Sequence, residues 1–297
     1  MAMNRGPGTP GKVRARDVRR HFDRAAATFD AADFAHRHAA QGVYERMSPM
    51  LVDVKRIVDI GSATGSAARE LAKRYRGSHV LCLDRSLEML KVARKSRWRF
   101  TRVSELQADA AAVPLQSGSI DLVFANMLLP WIDDVGEFFP EVNRVLRKDG
   151  LFAFSALGPD SLLELRQAWA KVDPGEHVHA FMDMHDIGDA LVRAGMREPV
   201  LDVDYLTVTY HDADALIGDL TRAGARNSLA GRRDTLTGRH RFEEMKRVLN
   251  DFREDGLLAC RLELVFGHAW GGGPMQEPGE FRVDASRIGH RSRQAGR

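Results

Sequence analysis

The stretch Val58-Asp59-Ile60-Gly61-Ser62-Ala63-Thr64-Gly65 decides the fold of this chain. It places an apolar strand directly before a glycine-rich turn, and strong helix formers follow Gly65. Gly61 permits a sharp turn and a close approach to the backbone, and Gly65 lets a helix start against the strand. In a doubly wound sheet this turn binds a nucleotide-like ligand, with the N–H groups of the helix N-terminus facing an anionic group.

Apolar strands alternate with helical segments after this turn. The strands are expected at residues 56–60, 79–84, 102–109, 119–126 and 151–156, and the helices at 65–75, 86–95 and 135–146. Gly150 is expected to end the last of these helices as a left-handed C-cap. Alternation of this kind predicts an α/β fold, in which a parallel sheet carries helices on both faces.

The pattern changes after residue 157. Helices are expected at residues 160–170, 185–194, 213–223 and 241–252, and strands at 199–205 and 258–268. Ahead of the sheet, apolar residues from Val18 to Arg46 recur at helical spacing and predict one or two amphipathic helices. The expected domains are a disordered leader at 1–12, a helical lid at 13–50, a main domain at 51–270 with a helical insertion at 212–255, and a disordered tail at 271–297.

The composition of the 297 residues, 44% hydrophobic and 29% charged, is that of a globular protein and excludes a fibre or a disulfide mini-protein. No stretch approaches the roughly eighteen uninterrupted apolar residues of a membrane helix, and the first residues do not have the pattern of a signal peptide. Cys82 and Cys260 lie in separate apolar runs, which favours reduced core thiols over a disulfide. We therefore expect a cytoplasmic protein that does not contact a membrane.

The net charge of +3 is unevenly distributed along the chain. Residues 1–24 carry +5 and residues 271–297 carry +2, which leaves −4 for residues 25–270. Because no recognised nucleic-acid-binding module accompanies these basic ends, we interpret them as solvated segments and expect no nucleic-acid partner.

Two acids follow the second and third predicted strands. Asp84 lies nineteen residues after Gly65, close to the spacing at which a carboxylate accepts hydrogen bonds from ribose hydroxyls. The alternative role for Asp84 is a helix N-cap, since a predicted helix begins at Ser86, and both roles are compatible. Asp109 is placed to accept a hydrogen bond from an exocyclic adenine amine, or it is a solvated acid in a turn.

This combination resembles the class I S-adenosylmethionine-dependent methyltransferases, which place a glycine turn after strand one and an acid after each of strands two and three. The resemblance covers Val58 to Leu157 and implies a Rossmann-like α/β fold. The implied sheet is seven-stranded and mostly parallel, with helices on both faces, an N-terminal helical lid and a helical insertion before the last strand. The implied cofactor is S-adenosylmethionine, bound by Asp59, Gly61, Ser62, Ala63, Gly65, Asp84, Asp109, Ala110 and Asn126.

Two positions in the turn separate this chain from other sequences with similar turns. Ala63 stands where methyltransferases of this class commonly have glycine, so a methyl group lies close to the expected methionine end of the cofactor. Ser66 stands where a nicotinamide-binding G-x-G-x-x-G turn has its third glycine, which disfavours a dehydrogenase.

A narrower resemblance extends from about residue 18 to residue 270. It rests on the blocks Phe22 to Ala26, Asn126 to Trp131, Leu157 to Arg166, Phe181 to Asp189, Leu206 to Tyr210 and Gly267 to Trp270. These blocks look like the malonyl-acyl carrier protein O-methyltransferases of biotin synthesis. They recur less closely in mitochondrial complex I assembly factors that hydroxylate a protein arginine, which is the main alternative. A small-molecule carboxyl methyltransferase is a third possibility.

The resemblance implies methyl transfer to the free carboxylate of a malonyl thioester. This reaction needs no general base, because the carboxylate is already ionised at neutral pH. Arg166 and Arg24 are the candidates for a clamp on that carboxylate, although each is also explained as a solvated helical arginine. Phe29 replaces a tyrosine that many family members have and is expected to cover the cofactor. Trp131 is expected to line the acyl pocket.

An acyl carrier protein is strongly acidic, so its partner is expected to present a basic face. Residues 222–247 carry eight Lys or Arg against three acids, and we identify Arg232 and Arg233 as the candidate docking residues. A solvated helical face is an equally good reading of that segment. His177, His179 and His185 supply imidazoles without an evident closed set of ligands, so no metal is expected.

Overall fold

The computed structural model describes residues 12–50, 53–96, 102–233, 235 and 237–273. Within this part of the chain, seven strands form one sheet. The strands are β1 Arg56–Ile60, β2 His79–Asp84, β3 Val103–Gln107, β4 Ile120–Asn126, β5 Leu146–Leu157, β6 Arg197–Tyr210 and β7 Leu258–Trp270.

The strand order is β3-β2-β1-β4-β5-β7-β6. Strands β1 to β5 are parallel to their neighbours, whereas β7 lies antiparallel between β5 and β6. The sequence-based prediction of a seven-stranded, mostly parallel sheet is confirmed. The order reverses between β1 and β4, and in open α/β sheets ligands bind outside the carboxyl ends of the strands at such a switch point.

Helices pack on both faces of the sheet. They are α1 Ala15–Ala25, α2 Phe34–Met47, α3 Ser66–Arg74, α4 Leu87–Ser96, α5 Val135–Val145, α6 Leu163–Val172, α7 Met184–Arg193, α8 Ala213–Arg222 and α9 Arg239–Asn250. Short 3₁₀ turns cover Phe29–Ala31 and Leu129–Trp131. No described helix is long and apolar enough to cross a bilayer.

Strand β4 shows how the two halves of the core are built. Leu122 and Phe124 point into the cluster that contains the buried residues of α2, α3 and α6, and Val123 and Ala125 point into the cluster that contains those of α5 and α7. All four are buried, because a central strand with helices on both faces is apolar on both sides. The apolar sequence of β4 therefore follows directly from the position of this strand in the sheet.

Helix α5 ends at Val145, within one residue of the predicted end, but the predicted left-handed cap at Gly150 is wrong. It is Asp149, with φ of 61°, that adopts the left-handed conformation. The reason is that Leu146 is buried and already pairs with Ile120 of β4. Strand β6, expected to run from Pro199 to Tyr205 or beyond, continues to Tyr210, because it pairs with β7 along most of its length.

The predicted leader and the predicted tail lie mostly outside the described residues. Residues 1–11 of the expected leader and residues 274–297 of the expected tail lie outside the described residues. The Gly271 N–H donates to the Gly150 carbonyl at 2.8 Å, so backbone pairing extends past the last strand. The division into a lid at 13–50 and a main domain at 51–270 stays a prediction.

Replacing Gly267 with alanine is expected to destabilise the sheet. A Cβ atom at this position of β7 would overlap the ring of Phe154 on the neighbouring strand, and both residues are buried. Overpacking of this kind costs about 1–3 kcal/mol. Urea denaturation should show this loss in Gly267→Ala, whereas Gly238→Ala, where no atom lies within 4 Å of the new methyl group, serves as the matched control. Equal stability of the two variants would contradict the packing described.

Candidate active site

The two glycines of the turn after β1 are required by its geometry. Gly61 and Gly65 both have φ of 74°, in the left-handed region that favours glycine. A Cβ atom on Gly61 would lie 2.7 Å from the Leu128 side chain, and one on Gly65 would lie 3.0 Å from Ala93. The Gly61 N–H donates to the Leu83 carbonyl at 2.8 Å, which attaches the turn to the end of β2.

Asp84 holds this turn from the end of β2. Its Oδ2 accepts a hydrogen bond from the Ala63 N–H at 2.9 Å, and its Oδ1 accepts one from the Ser86 N–H at 2.7 Å. The second bond lies just ahead of α4, where the helix-capping role was expected. Burial raises the pKa of the Asp84 carboxyl, although both N–H groups oppose that rise. Ala63 itself has φ of 46°, an uncommon conformation for a residue with a side chain.

A cleft of about 630 Å³ lies against this turn and is partly open to solvent. It brings together several of the residues predicted to bind the cofactor. The lining includes Gly61, Ala63, Asp84, Ala110 and Asn126, together with Phe29 and Trp131. We call this space the turn cleft.

Asp59 and Ser62 line an adjoining groove on the other side of the turn. The Asp59 Oδ2 and the Ser62 Oγ are buried and make no hydrogen bond within the described part of the chain. Burial, and then the charge of Asp84, raises the pKa of Asp59 to about 7. Unpartnered buried polar atoms beside a glycine turn fit a site that takes a polar or charged ligand.

Gly65 and Asp109 line neither the turn cleft nor the groove. Gly65 acts through the backbone, because its N–H donates to the Ser62 carbonyl at 2.8 Å and closes the turn. Asp109 is exposed, and its carboxylate pairs with Arg85 at 2.6 Å. Since Arg85 lines the turn cleft, this ion pair lies at its edge.

Asn126 connects the end of β4 to the N-terminal helices. Its Nδ2 donates to the His36 carbonyl of α2 at 2.9 Å, and its Oδ1 accepts from the Ser155 Oγ at 2.6 Å. Phe29 lies against the same helix, with its ring centroid 5.0 Å from that of His36. The N-terminal segment is thereby attached to the carboxyl edge of the sheet.

A second, mainly apolar cavity of about 980 Å³, open to solvent on one side, lies next to the turn cleft. Side chains from α2, α6, α8, β6 and β7 line it, including Leu165, Leu216 and Leu262. We call it the apolar cavity. His36, Met127 and Trp131 line both spaces, so the turn cleft and the apolar cavity meet at these residues.

Trp131 forms part of the wall at this junction. Its ring makes edge contacts with Phe22 at 5.1 Å and His179 at 5.0 Å between centroids. The predicted place of Trp131 beside an acyl pocket stays a prediction, since no ligand is present. Its position between the two spaces suits that role.

The two arginines predicted to clamp a carboxylate occupy different surroundings. The half-buried guanidinium of Arg166 donates to the carbonyls of Pro159, Ser161 and His179 at 3.2 to 3.4 Å, and burial lowers its pKa. Arg24 is exposed in the last turn of α1. Neither lines the apolar cavity, so the structure does not bring them together.

Much of the basic segment at 222–247 is neutralised by acids of the same chain. Arg232 pairs with the buried Asp17 of α1 at 2.6 Å, and Arg233 and Arg241 both lie 3.5 Å from Asp173. Lys246, Arg247 and Arg222 also have acidic partners. The segment therefore presents less free positive charge than its sequence indicates.

The three histidines considered as metal ligands have separate surroundings. The His177 ring stacks on Trp169 with centroids 3.7 Å apart, His179 accepts a hydrogen bond from the Ser228 N–H at 3.2 Å, and His185 lies 2.7 Å from Asp183. Within the residues that the structure covers, no group of three or more His, Cys, Asp and Glu is arranged to hold a metal ion.

Sequence reasoning missed His36 and Met127, and it did not separate Arg226 from its neighbours. His36 lies seven residues after Phe29, but the two belong to different elements, so no helical spacing pointed to it. Met127 follows Asn126 directly and has φ of 51°. Arg226 is exposed and is the one Lys or Arg among the described residues that line the apolar cavity. Its position follows from the packing of α8 against the cavity, which no local pattern shows.

Comparison with known proteins agrees with this fold. Residues 58–154 match the family model of a methyltransferase domain. The phosphoethanolamine N-methyltransferase 2 of Haemonchus contortus, solved in complex with S-adenosyl-L-methionine, has the same fold, with a TM-score of 0.53 at 16% identity over 85% of this chain and 57% of that one. The fold and the turn site define a class I methyltransferase.

The relatives identify the family within that class. The malonyl-[acyl-carrier protein] O-methyltransferase of Methylovorus sp. strain MP688 is 42% identical over 259 residues, which cover 85% of this chain and 88% of the relative. The protein of the same name from Halorhodospira halophila is 37% identical over 97% of this chain and 99% of its own length. The chain belongs to the malonyl-acyl carrier protein O-methyltransferase family.

Replacing Asp59 with asparagine is expected to change how stability depends on pH. The folded-state pKa of about 7 lies above the ordinary value of 3.8 for an aspartate, so the folded protein holds this proton more tightly than the unfolded chain does. The stabilisation that this causes is complete below about pH 4 and is lost as the pH rises through 7. Asp59→Asn should therefore gain stability relative to the wild type between pH 5 and pH 8, by an amount on the order of a few kcal/mol.

Urea denaturation of Asp59→Asn and of the wild type, each at pH 5 and at pH 8, measures this difference in stability. Ser62→Ala, which removes the neighbouring buried hydroxyl without a titrating group, is the control and should show no such pH dependence. A constant difference between Asp59→Asn and wild type at pH 5 and pH 8 would contradict the raised pKa.

Proposed function

We propose that the protein transfers a methyl group from S-adenosylmethionine to the free carboxylate of a malonyl thioester on acyl carrier protein. Family membership and the names of the relatives support this reaction. The observation that carries it is the junction at His36, Met127 and Trp131, where a cleft against the glycine turn adjoins a separate apolar cavity. Such a junction gives a methyl donor and an acyl acceptor one meeting point. The implied place of the reaction is the biotin pathway.

The turn residues are suited to hold S-adenosylmethionine. Bound there, the cofactor supplies a methyl group on positively charged sulfur that needs no further activation. Asp84 is proposed to accept hydrogen bonds from the ribose hydroxyls, and Asp109 and Ala110 to contact the adenine. The methionine end lies in this proposal against Asp59, Gly61, Ser62, Ala63, Gly65 and Asn126, and Phe29 covers the cofactor.

The protein contributes position and exclusion of water rather than acid–base chemistry. Bound at the turn, the cofactor would supply the methyl group, and the residues of the junction would align a carboxylate oxygen with it. No proton moves, so no catalytic base is required. The apolar walls of the cavity keep water away from the two reacting charges, which strengthens their attraction.

Arg166 and Arg24 remain the sequence-based candidates for holding the malonyl carboxylate. Arg166 is proposed to act by keeping the Pro159–Ser161 loop in place through its carbonyl contacts. Arg24 lies one turn after Arg20 on the exposed face of α1. It is better placed for the carrier protein than for the carboxylate.

The carrier protein is proposed to dock at the entrance of the apolar cavity. Burial, and then the charge of Arg226, lowers the pKa of His21 to about 4. Arg20 and Arg232 both pair with Asp17, at 3.1 Å and 2.6 Å, so these two cations lie close to each other. Arg226 is exposed at the cavity itself, whereas Arg232 and Arg233 are held by Asp17 and Asp173. Arg232 and Arg233 are therefore proposed to shape the docking surface and Arg226 to face the acidic partner.

The location proposed for this reaction is the cytoplasm. Cys82 and Cys260 are buried free thiols on separate strands, and burial raises the pKa of each. Inert, unpaired cysteines are compatible with a reducing compartment.

Mass spectrometry of malonyl-acyl carrier protein incubated with the protein and S-adenosylmethionine tests the reaction. We expect the carrier to gain one methyl group, and we expect no gain on acetyl-acyl carrier protein, which lacks the free carboxylate. Asp84→Ala should abolish the gain because it removes the acceptor that shapes the turn. A methyl group on the acetyl form, or modification of an arginine in place of the thioester, would contradict the proposal.

Charge reversal at the cavity entrance is expected to weaken recognition of the carrier. Arg226→Glu should raise KM for malonyl-acyl carrier protein about tenfold and reduce its dependence on salt, because an exposed cation that faces an acidic partner becomes repulsive. Arg247→Glu is the matched control, since Arg247 pairs with Glu244 on α9 and lines neither cavity. Steady-state kinetics at two ionic strengths measure both variants, and an equal effect of the two would place the docking surface elsewhere.

A further inference from the structure

His36 occupies a position that no other described residue shares. It lines the turn cleft, the groove beside Asp59 and Ser62, and the apolar cavity. His36 therefore lies, with Met127 and Trp131, where the apolar cavity adjoins the turn cleft, and it alone of the three also faces the groove.

The backbone of His36 is fixed relative to the sheet. Its carbonyl accepts the hydrogen bond from Asn126, and Asn126 is held in turn by Ser155 on β5. The Phe29 ring contacts the imidazole from the 3₁₀ turn before α2. A side chain placed in this way is suited to orient a ligand, because little conformational freedom is left to lose on binding.

One ring nitrogen of His36, Nδ1, is sealed from solvent and makes no hydrogen bond within the described residues. Burial lowers the pKa of His36 to about 4, so the ring is neutral at physiological pH. A neutral ring adds no positive charge beside a sulfonium ion, yet it still carries one N–H. We place that proton on Nε2, because a buried N–H at Nδ1 would lack an acceptor.

We propose that His36 donates a hydrogen bond to the carboxylate of the acyl acceptor and orients it for methyl transfer. This inference rests on the proposed function. The hydrogen bond goes to the oxygen that does not react, while the other oxygen forms the new C–O bond. The C–S bond breaks with its electron pair left on sulfur, and the His36 proton stays on its nitrogen. After transfer the accepting oxygen is the carbonyl oxygen of the methyl ester, which remains an acceptor.

Kinetics of His36→Ala and His36→Gln with malonyl-acyl carrier protein test the role. Loss of one hydrogen bond to a charged group should lower kcat/KM for the malonyl substrate about tenfold or more in His36→Ala. Glutamine supplies a neutral N–H donor and should recover most of the loss. The matched control is His38→Ala on the same helix, since His38 is exposed and lines none of the three spaces.

A binding measurement separates this role from a merely structural one. In ¹⁵N-histidine-labelled protein saturated with S-adenosylhomocysteine, malonyl-pantetheine should shift one ring signal that is missing in His36→Gln, and acetyl-pantetheine should not shift it. Calorimetry should give His36→Ala an affinity for S-adenosylhomocysteine within about twofold of the wild type.

Three outcomes would overturn the inference. They are normal kcat/KM in His36→Ala, an equal ring shift caused by acetyl-pantetheine, and a large loss of S-adenosylhomocysteine affinity with unchanged use of the malonyl substrate. If the wild type leaves malonyl-acyl carrier protein unmethylated, the proposed function fails, whereas the ring shift and the calorimetry, which need no turnover, still test whether His36 binds the carboxylate.

Discussion

The hydrogen bond from the Ala63 N–H to the Asp84 carboxylate is the interaction on which the site depends. It joins the turn after β1 to the end of β2, and the second oxygen of the same carboxylate holds the start of α4 through Ser86. A buried carboxylate with two backbone donors is a strong and directional support. Because the turn is held in this way, Gly61 and Gly65 keep left-handed conformations and the cleft beside them stays open.

The second support comes from Asn126, which attaches the N-terminal helices to the sheet. Its hydrogen bond to His36 places α2 over the carboxyl edge of β4, and Thr64 of the turn reaches Asp30 of the same segment at 2.5 Å. Two spaces of different character result. One is lined by the turn and its polar groups, the other by apolar side chains, and they meet at one junction. Two such spaces suit a charged methyl donor on one side of the junction and an acyl acceptor on the other.

The sequence was sufficient for the features that local patterns determine. The alternation of strands and helices predicted the sheet, and the glycines with Asp84 predicted where a ligand-binding turn lies, since each depends on residues close in the chain. The bounds of β1 and β2 were confirmed for the same reason.

Features that depend on distant residues escaped prediction. The predicted C-cap at Gly150 is wrong because β5 already begins at Leu146, which pairs with β4. The charge of Arg232 is matched by Asp17, more than two hundred residues away in the chain. His36 acquires its place only when α2 packs over β4. Neither the net charge nor the hydrophobic periodicity of the sequence predicts these contacts.

The most direct test of the account is a crystal structure of the protein with S-adenosylhomocysteine and a non-reactive malonyl-pantetheine analogue. The account predicts the sulfur in the turn cleft, the acyl chain in the apolar cavity and the free carboxylate at the junction of His36, Met127 and Trp131. An analogue bound away from that junction, with its carboxylate turned from the sulfur, would contradict it.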